Sequence, residues 1–344
     1  MSGPAVAGPV APGLVSAERG VGEIALVDAL PEVVVVVFAA VTHLADPWFL
    51  FGLLAVGYWF GGGRVAGSPR RAGATAIAAV TCAYAATALG KAWFAVPRPP
   101  GAVGPADVPA WLPGLLSAWY EGQVLSDGFG FPSGHATGAA AAYLALALVY
   151  DRAWTPGRRY LAAGAVAVAV AASRVVIEVH YLVDVLAGLA VGVGVVLGAL
   201  WLAGDPRFRG GRADSDDGPV AADGSGTDLE PTAALDPTPA FLLAAVLSAV
   251  AAGVAFAAGH PGEVVEAGIG IATGAGGAVG WLLVDGDESA LTARVAVPAL
   301  AVTGVLWVGA YALADSLPVT VAATTVAVVA VVALPSLPSR VDAV

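Results

Sequence analysis

The chain has 344 residues, of which 58% are hydrophobic and only 12% are charged, and its mean hydropathy is +0.82. An average soluble domain is about 45–50% apolar and about 25% charged, so this composition excludes an ordinary soluble protein. The formal net charge of −11 and the lack of a basic patch exclude a nucleic acid as a partner. The apolar residues fall in blocks of about twenty, the length of a membrane span, and predict an all-α polytopic membrane protein.

Apolar blocks in the first part of the chain predict six membrane-spanning helices after a loose Gly/Pro/Ala-rich tail at residues 1–23. The predicted spans are 24–43, 47–62, 72–95, 135–151, 159–178 and 181–203. The first of them is interrupted by Asp28, Pro31 and Glu32. We expect residues 24–203 to form a six-helix membrane core.

A second membrane segment follows an acidic cytoplasmic linker at residues 204–239, which is too polar to fold alone. Residues 240–336 contain about four additional transmembrane helices, predicted at 240–259, 264–284, 293–313 and 317–335. The Gly-rich stretch Gly268–Gly280 predicts close helix packing within this segment. The sequence does not indicate what the C-terminal segment does.

The basic residues predict the orientation of the chain in the membrane. With both termini in the cytoplasm, all lysines and arginines except three fall on the inner side, Arg19 among them. The three exceptions are Lys91, Arg98 and Arg174. Because a positive charge on the outer side does not serve topology, these three residues indicate a functional site there.

The predicted outer ends of four spans carry cations, histidines, a carboxylate and a Ser-Gly pair. These residues are Lys91, Arg98, Ser133, Gly134, His135, Arg174, His180 and Asp184. Ionisable groups at the mouth of a membrane span are costly and therefore indicate a site. The order of the spans places all of them at the same membrane level.

The residue types favour phosphate chemistry. A phosphoryl group under attack carries charge on its equatorial oxygens, which Lys91, Arg98 and Arg174 can bind. Ser133 and Gly134 precede a predicted helix start, where unpaired N–H groups and the helix dipole favour an anion. We therefore predict that these five residues bind phosphate.

Two histidines can divide the nucleophilic and proton-transfer work. His180 and Asp184 are spaced i, i+4, so the carboxylate can orient the imidazole and leave its far nitrogen unprotonated. His180 can then attack phosphorus, while His135 protonates the departing alkoxide. One carboxylate beside three cations suits an anion rather than a divalent ion, so we expect neither a metal nor a cofactor.

The motifs Lys-x6-Arg-Pro, Pro-Ser-Gly-His and Ser-Arg-x5-His-x3-Asp, in this order, resemble the type 2 phosphatidic acid phosphatase superfamily, which includes the vanadium haloperoxidases and bacterial acid phosphatases. The matching segments are Lys91–Pro99, Pro132–His135 and Ser173–Asp184. The resemblance covers about residues 30–203. It implies metal-independent hydrolysis of a phosphomonoester or diphosphate through a phosphohistidine at His180, with His135 as the acid.

The position of the site favours an integral cell-membrane enzyme that hydrolyses a lipid phosphate on the extracytoplasmic side. Phosphatidic-acid-like lipids and polyprenyl phosphates or diphosphates both fit, and the sequence gives no oligomeric state. A lipid phosphotransferase with the same intermediate is an alternative, as is haloperoxidase chemistry with vanadate in the pocket. A non-catalytic transporter or lipid-binding protein, with the C-terminal segment as its working part, is a third.

Three further ionisable residues have simpler interpretations. Glu178 is expected to cap the fifth span in solvent rather than face the site. His43 and His260 lie in short predicted loops with no matching partner nearby in the sequence. We therefore predict that both are solvated loop residues.

Overall fold

The computed structural model describes residues 19–208, 231–284, 293–313 and 316–336, and within these ranges the fold is all-helical. The N-terminal part contains α1 (Glu23–Val27), α2 (Glu32–Val41), α3 (Pro47–Phe60), α4 (Pro69–Phe94), α5 (Gly114–Val124), α6 (Gly134–Val149), α7 (Pro156–Val176) and α8 (Leu182–Leu202). The C-terminal part contains α9 (Thr238–Ala258), α10 (Pro261–Val284), α11 (Ala293–Leu313) and α12 (Leu317–Ala333).

Six of the described helices are long and apolar enough to cross a bilayer: α4, α7, α8, α9, α10 and α12 with the turn that follows it. The 21 residues of α8 span about 31 Å, which matches the ~30 Å hydrocarbon thickness of a membrane. α6 has only 16 residues and is largely buried in the bundle. The prediction of an all-α polytopic membrane protein with additional C-terminal helices is confirmed.

The predicted first span, 24–43, is wrong, because the chain breaks between α1 and α2. Pro31 lacks an N–H group and disfavours helical geometry at Leu30, so the helix stops and α2 begins afresh with Pro31 as its N-cap. α2 has only 10 residues. With the 3₁₀ turn Thr42–Ala45, it meets α3 at a bend of 47°.

Contacts at both ends of α2 place this helix on the side of the bundle where the motif residues lie. Near its start, Trp111 donates from Nε1 to Glu32 Oε2 at 2.7 Å. Just beyond its end, Arg174 donates from Nη1 to Thr42 Oγ1 at 2.6 Å. α3 is therefore the first helix that passes to the opposite side of the bundle.

α4 is the central helix, and small residues allow its neighbours to approach closely. Residues 72–83 of this helix are all buried, and α3, α6, α8, α9 and α10 pack around it. α6 and α8 approach each other at Gly188 and Gly192, where an added Cβ would lie 2.6 Å from a backbone oxygen of the facing segment. This contact fixes the start of α6, with His135, against the start of α8, which follows His180.

The C-terminal helices pack onto the N-terminal part and form one bundle with it. Tyr58 Oη donates to Val332 O at 2.6 Å, and Trp59 Nε1 donates to Val331 O at 2.8 Å, which joins the end of α3 to α12. α9 packs along α4, and α10 contacts α4, α9 and α12. The two parts therefore share one hydrophobic core.

The predicted close packing of the Gly268–Gly280 stretch is confirmed. A Cβ at Gly274 would lie 2.6 Å from the backbone nitrogen of Ala245 in α9. A Cβ at Gly280 would lie 2.8 Å from Val332 Cβ in α12. Glycine thus lets α10 approach two neighbours at once, as small residues do in membrane bundles.

The ends of the predicted linker, 204–239, are anchored to the bundle. Asp205 is fully buried, and Thr232 Oγ1 accepts a backbone N–H from the loop before α4 at 2.9 Å. The acidic stretch 209–230 and the first part of the predicted tail, 1–18, lie outside the described residues. The connection between α8 and α9 is therefore fixed to the bundle at both ends, and the acidic linker between these ends stays a prediction.

Candidate active site

A cavity of about 420 Å³ lies where the ends of α4 and α7 meet the start of α6 and the segment before α8. Six of the predicted site residues line it: Lys91, Arg98, Gly134, His135, Arg174 and His180. The remaining two, Ser133 and Asp184, are fully buried and are not part of its wall. Segments that are distant in the sequence therefore meet in one place.

His180 faces the carboxylate of Asp184, at the N-terminal turn of α8. The distance between His180 Nδ1 and Asp184 Oδ2 is 3.5 Å, which is longer than a strong hydrogen bond. Asp184 Oδ2 also accepts the backbone N–H of Tyr181 at 3.0 Å, as part of a capping box. The i, i+4 spacing thus brings a fixed carboxylate to the Nδ1 side of the ring.

The opposite nitrogen of His180, Nε2, lies 2.9 Å from Arg98 Nη1. Because a guanidinium can only donate, Nε2 is the acceptor and the ring proton is on Nδ1. Burial lowers the pKa of His180 to about 3; the Asp184 carboxylate opposes this shift, and the charges of Arg98 and Arg174 add to it. At neutral pH, His180 is therefore an uncharged imidazole.

Arg98 is held in front of His180 by backbone carbonyl groups. Its Nε donates to Asp127 O at 2.9 Å, and its Nη1 also donates to Val179 O at 3.1 Å. Burial lowers the pKa of Arg98, and nearby carboxylates, of which Glu266 has the largest effect, oppose the shift. Arginine nevertheless stays protonated in proteins, so the side chain is a positioned cation.

The other two cations are held by different parts of the chain. Arg174 is only 4% exposed, and its Nε has no hydrogen-bond partner among the described residues. An unpaired buried donor is destabilising, so this group is suited to bind an anion. Lys91 Nζ lies 3.2 Å from Glu266 Oε2 of α10.

In the described part of the chain, no group of three or more His, Cys, Asp or Glu side chains is arranged to hold a metal ion.

Ser133 caps α6 and does not line the cavity. Its Oγ accepts the backbone N–H of Ala136 at 3.5 Å, and its own N–H donates to Asp184 O at 3.0 Å. Gly134, the first residue of α6, does line the cavity. The N–H group of Ser133 is thus already used. The anion-binding role predicted for this helix start therefore falls to the N–H groups of α6 itself.

The motif residues fall within a stretch that matches a known family. Residues 72–207, from α4 to just beyond α8, match the model of the PAP2 superfamily. We refer to this stretch as the PAP2 domain. No curated protein and no solved structure matches the chain significantly. The PAP2 domain supports an activity of the phosphatase or phosphotransferase type on phosphate esters.

Arg19, which precedes the PAP2 domain, pairs with its buried carboxylate. Arg19 Nε and Nη2 donate to the two oxygens of Asp184 at 2.6 and 2.9 Å, and the guanidinium lies 4.7 Å from the ring centroid of Tyr181. A bidentate pair of this kind is strong and geometrically specific. The assignment of Arg19 to a loose tail on the side opposite the motif residues is therefore wrong.

The second histidine of the PAP2 domain, His135, also has a carboxylate partner from outside the domain. His135 Nε2 lies 3.0 Å from Oδ1 of Asp46, the residue before α3. Asp46 Oδ2 accepts from His43 Nδ1 at 2.6 Å and from Trp48 Nε1 at 2.9 Å. Burial acts to raise the pKa of Asp46, but the hydrogen bonds with His135 and His43 outweigh it and lower the pKa. Asp46 is therefore an ionised carboxylate.

The prediction that His43 and His260 are solvated loop residues is wrong. His43 donates to Asp46 from Nδ1 and accepts a hydrogen bond at Nε2 from Trp119 Nε1 at 2.8 Å. The ring of His260 packs against Phe129 with a centroid distance of 4.7 Å, and its Nδ1 is buried.

Glu178 follows α7 and is not part of the cavity wall of the PAP2 domain.

Proposed function

We propose that the protein is a membrane phosphatase that hydrolyses a lipid phosphate through a phosphohistidine at His180. The observation that carries this proposal is the position of His180 in the wall of the cavity that Lys91, Arg98 and Arg174 also line, with its Nε2 2.9 Å from Arg98 Nη1. A neutral imidazole beside fixed cations is suited to attack the phosphorus of a phosphate anion. The PAP2 match supports chemistry on phosphate esters.

In the first step, His180 Nε2 forms a bond to phosphorus while the bond between phosphorus and the oxygen of the leaving alcohol breaks. Arg98 moves from Nε2 to the equatorial oxygens of the phosphoryl group, and the unpaired Arg174 Nε donates to the same group. Burial lowers the pKa of His135 to about 4, and the negative charge of the bound phosphate acts to raise it again. The ring can then take up a proton when substrate binds and give it to the departing alkoxide. Asp184 balances the positive charge that develops on the ring.

In the second step, water attacks phosphorus, the phosphorus–nitrogen bond breaks, and inorganic phosphate leaves. His135 has lost its proton in the first step and now takes one from the water. Asp46, 3.0 Å from His135 Nε2, stabilises the imidazolium that forms. Both histidines then return to their starting states. General acid–base catalysis of this kind typically contributes about 10²–10⁴-fold to the rate.

The position of the cavity supports a lipid as the substrate. It lies at the ends of helices that are long enough to cross a bilayer, which is the level of lipid headgroups. A phosphate group can enter there while the hydrocarbon chain stays in an apolar environment. Phosphatidic-acid-like lipids and polyprenyl phosphates or diphosphates both meet this requirement.

Release of inorganic phosphate by the purified protein, across a panel of lipid phosphates, tests the proposed reaction. We expect release without an added alcohol, inhibition by vanadate, which adopts the five-coordinate geometry of the transition state, and full activity in EDTA. Phosphate transfer that requires an added alcohol would instead indicate a lipid phosphotransferase. Halide oxidation in the presence of vanadate would indicate a haloperoxidase, and loss of activity in EDTA would contradict the mechanism.

We propose further that the site faces the extracytoplasmic side. Among the described residues, four cations lie on the side of the site: Arg19 and the three motif residues Lys91, Arg98 and Arg174. Most of the described arginines lie on the opposite side, in loops and in the helix ends next to them, as is typical of a cytoplasmic side. They are Arg64, Arg70, Arg71, Arg152, Arg158, Arg159, Arg207 and Arg294.

Cysteine labelling in intact cells tests this orientation. Val103 is 69% exposed on the site side, and Thr155 is exposed in the opposite loop before α7. We expect a membrane-impermeant maleimide to label Val103→Cys directly and Thr155→Cys only after permeabilisation. The parent chain is the control, because its single cysteine, Cys82, is fully buried. The reverse labelling pattern would place the site in the cytoplasm.

A further inference from the structure

Helices α9 and α10, which follow the PAP2 domain, supply one wall of its cavity. Ser248 comes from α9, and Glu266, Ile269, Gly270 and Thr273 come from α10. None of these residues belongs to the stretch that matches the PAP2 superfamily. The cavity is therefore incomplete without the C-terminal segment.

The cavity extends further into the bundle than a phosphate group requires. Lys91 lies in the last turn of α4, and Thr81, ten residues earlier on the same helix, also lines the cavity. At 1.5 Å per residue, this separation is about 15 Å. The volume of about 420 Å³ is typical of a small-molecule site. The inner end is thus available to the organic part of a phosphate ester.

The wall of the inner end is mainly apolar. Phe51, Ala85 and Ile269 contribute to it. The hydroxyl groups of Thr81 and Thr273 donate to carbonyls of their own helices at 2.8 Å, so their hydrogen atoms are already used. Such a surface suits a hydrocarbon chain.

Ser248 is a polar exception in the wall that α9 and α10 supply. Its Oγ is fully buried and has no hydrogen-bond partner among the described residues. It faces Gly270, where any side chain would collide with the hydroxyl. Gly270 is one helical turn along α10 from Glu266, which pairs with Lys91. An unpaired buried hydroxyl next to a cavity favours a ligand that carries a hydrogen-bonding oxygen at this level.

We propose that α9 and α10 form the pocket for the substrate chain and that Ser248 hydrogen-bonds an oxygen atom of the substrate close to the phosphate. This proposal rests on the proposed phosphatase function and narrows its substrate class. A glycerol-phosphate lipid has hydroxyl, ester or ether oxygens a few bonds from phosphorus. A polyprenyl monophosphate has none beyond the phosphate itself. In a polyprenyl diphosphate the corresponding oxygens are the charged ones of the second phosphate, which a single neutral hydroxyl in an otherwise apolar wall does not match. The structure therefore favours the glycerol-phosphate class.

Kinetics with phosphate esters test both parts of the proposal. Thr273→Phe fills the inner end, so we expect the ratio of kcat/KM for dodecyl phosphate to that for butyl phosphate to fall about tenfold. Ser248→Ala removes only the hydroxyl. We expect it to lower kcat/KM about fivefold for a lysophosphatidic acid and to leave that for dodecyl phosphate nearly unchanged.

Lipid-facing substitutions on the same helices provide matched controls. Val279 on α10 is 49% exposed and Val246 on α9 is 59% exposed. Val279→Phe and Val246→Ala should therefore change neither the kcat/KM ratio of dodecyl to butyl phosphate nor that of lysophosphatidic acid to dodecyl phosphate. Unchanged ratios in Thr273→Phe and Ser248→Ala would overturn the pocket proposal while the phosphatase function stands. A wild-type protein that releases no phosphate from any ester would overturn the phosphatase proposal instead.

A binding measurement that does not depend on turnover completes the test. In a Cys82→Ala background, Thr273→Cys places a thiol at a partly exposed position in the wall of the cavity. We expect a long-chain acylglycerol phosphonate to protect this thiol from a methanethiosulfonate reagent and inorganic phosphate to protect it much less. Equal modification with and without the phosphonate would show that the substrate chain does not reach this part of α10, and would overturn the proposal.

Discussion

Replacement of His180 by alanine is expected to abolish turnover, with a fall in kcat of about 10⁴-fold or more. His180 Nε2 supplies the electron pair that bonds to phosphorus, and the neighbouring Arg98 and Arg174 cannot replace it because a guanidinium offers no lone pair. Single-turnover experiments with ³²P-labelled substrate provide the measurement. The wild-type protein should form a transient phosphoprotein that is labile in acid and stable in base, as expected of phosphohistidine, and His180→Ala should form none.

Two other histidine variants make this experiment specific. His135→Ala retains the nucleophile but lacks the group that activates water, so with a substrate that has a good leaving group the labelled intermediate should accumulate. His260→Gln alters a histidine on the same side of the bundle that does not line the cavity, and it should behave like the wild type. Labelled protein in His180→Ala would show that the phosphoryl group is carried elsewhere.

The motif residues were predictable because each motif is a short local pattern at the end of a helix. The i, i+4 spacing of His180 and Asp184 brings the two side chains to the same end of α8 wherever that helix lies. Alternation of the spans then brings the ends of α4, α6, α7 and α8 to one side. The prediction of the first span failed because it relied on hydropathy, which counts apolar residues over a long window. Pro31 stops the helix however apolar its neighbours are.

The partners of the motif residues depend on tertiary packing, and no local pattern reveals them. Arg19 and Asp184 are paired although they are 165 positions apart in the sequence, and Lys91 and Glu266 are paired at a separation of 175 positions. Asp46 did carry a signal, since a carboxylate beside a predicted span is costly unless it has a function. Nothing in the sequence indicated which histidine Asp46 would contact.

The two histidines of the site are supported in the same way from different parts of the chain. His180 has its carboxylate within the PAP2 domain, four residues further along α8. His135 has its carboxylate in Asp46, which precedes the domain. Each ring therefore has a negative charge behind it, which stabilises the protonated or phosphorylated state that the ring adopts during the proposed reaction.

Replacement of Asp46 by asparagine is therefore expected to lower kcat about 10²–10³-fold for a lipid phosphate, within the range of general acid–base catalysis. The amide is uncharged, so it no longer stabilises the His135 imidazolium that protonates the leaving alkoxide. The pKa of Asp46 lies below the ordinary value of about 3.9, so the carboxylate is ionised at every higher pH. The defect should accordingly persist across the neutral pH range.

The choice of leaving group distinguishes a role in proton transfer from a structural one. p-Nitrophenyl phosphate needs no proton on its leaving group, so formation of the phosphoprotein from this substrate should be far less affected by Asp46→Asn than formation from an alkyl phosphate. His43→Gln is the matched control, because it removes a neighbour of Asp46 but leaves the carboxylate beside His135. Equal losses with both substrates would mean that Asp46 only supports the fold around α3.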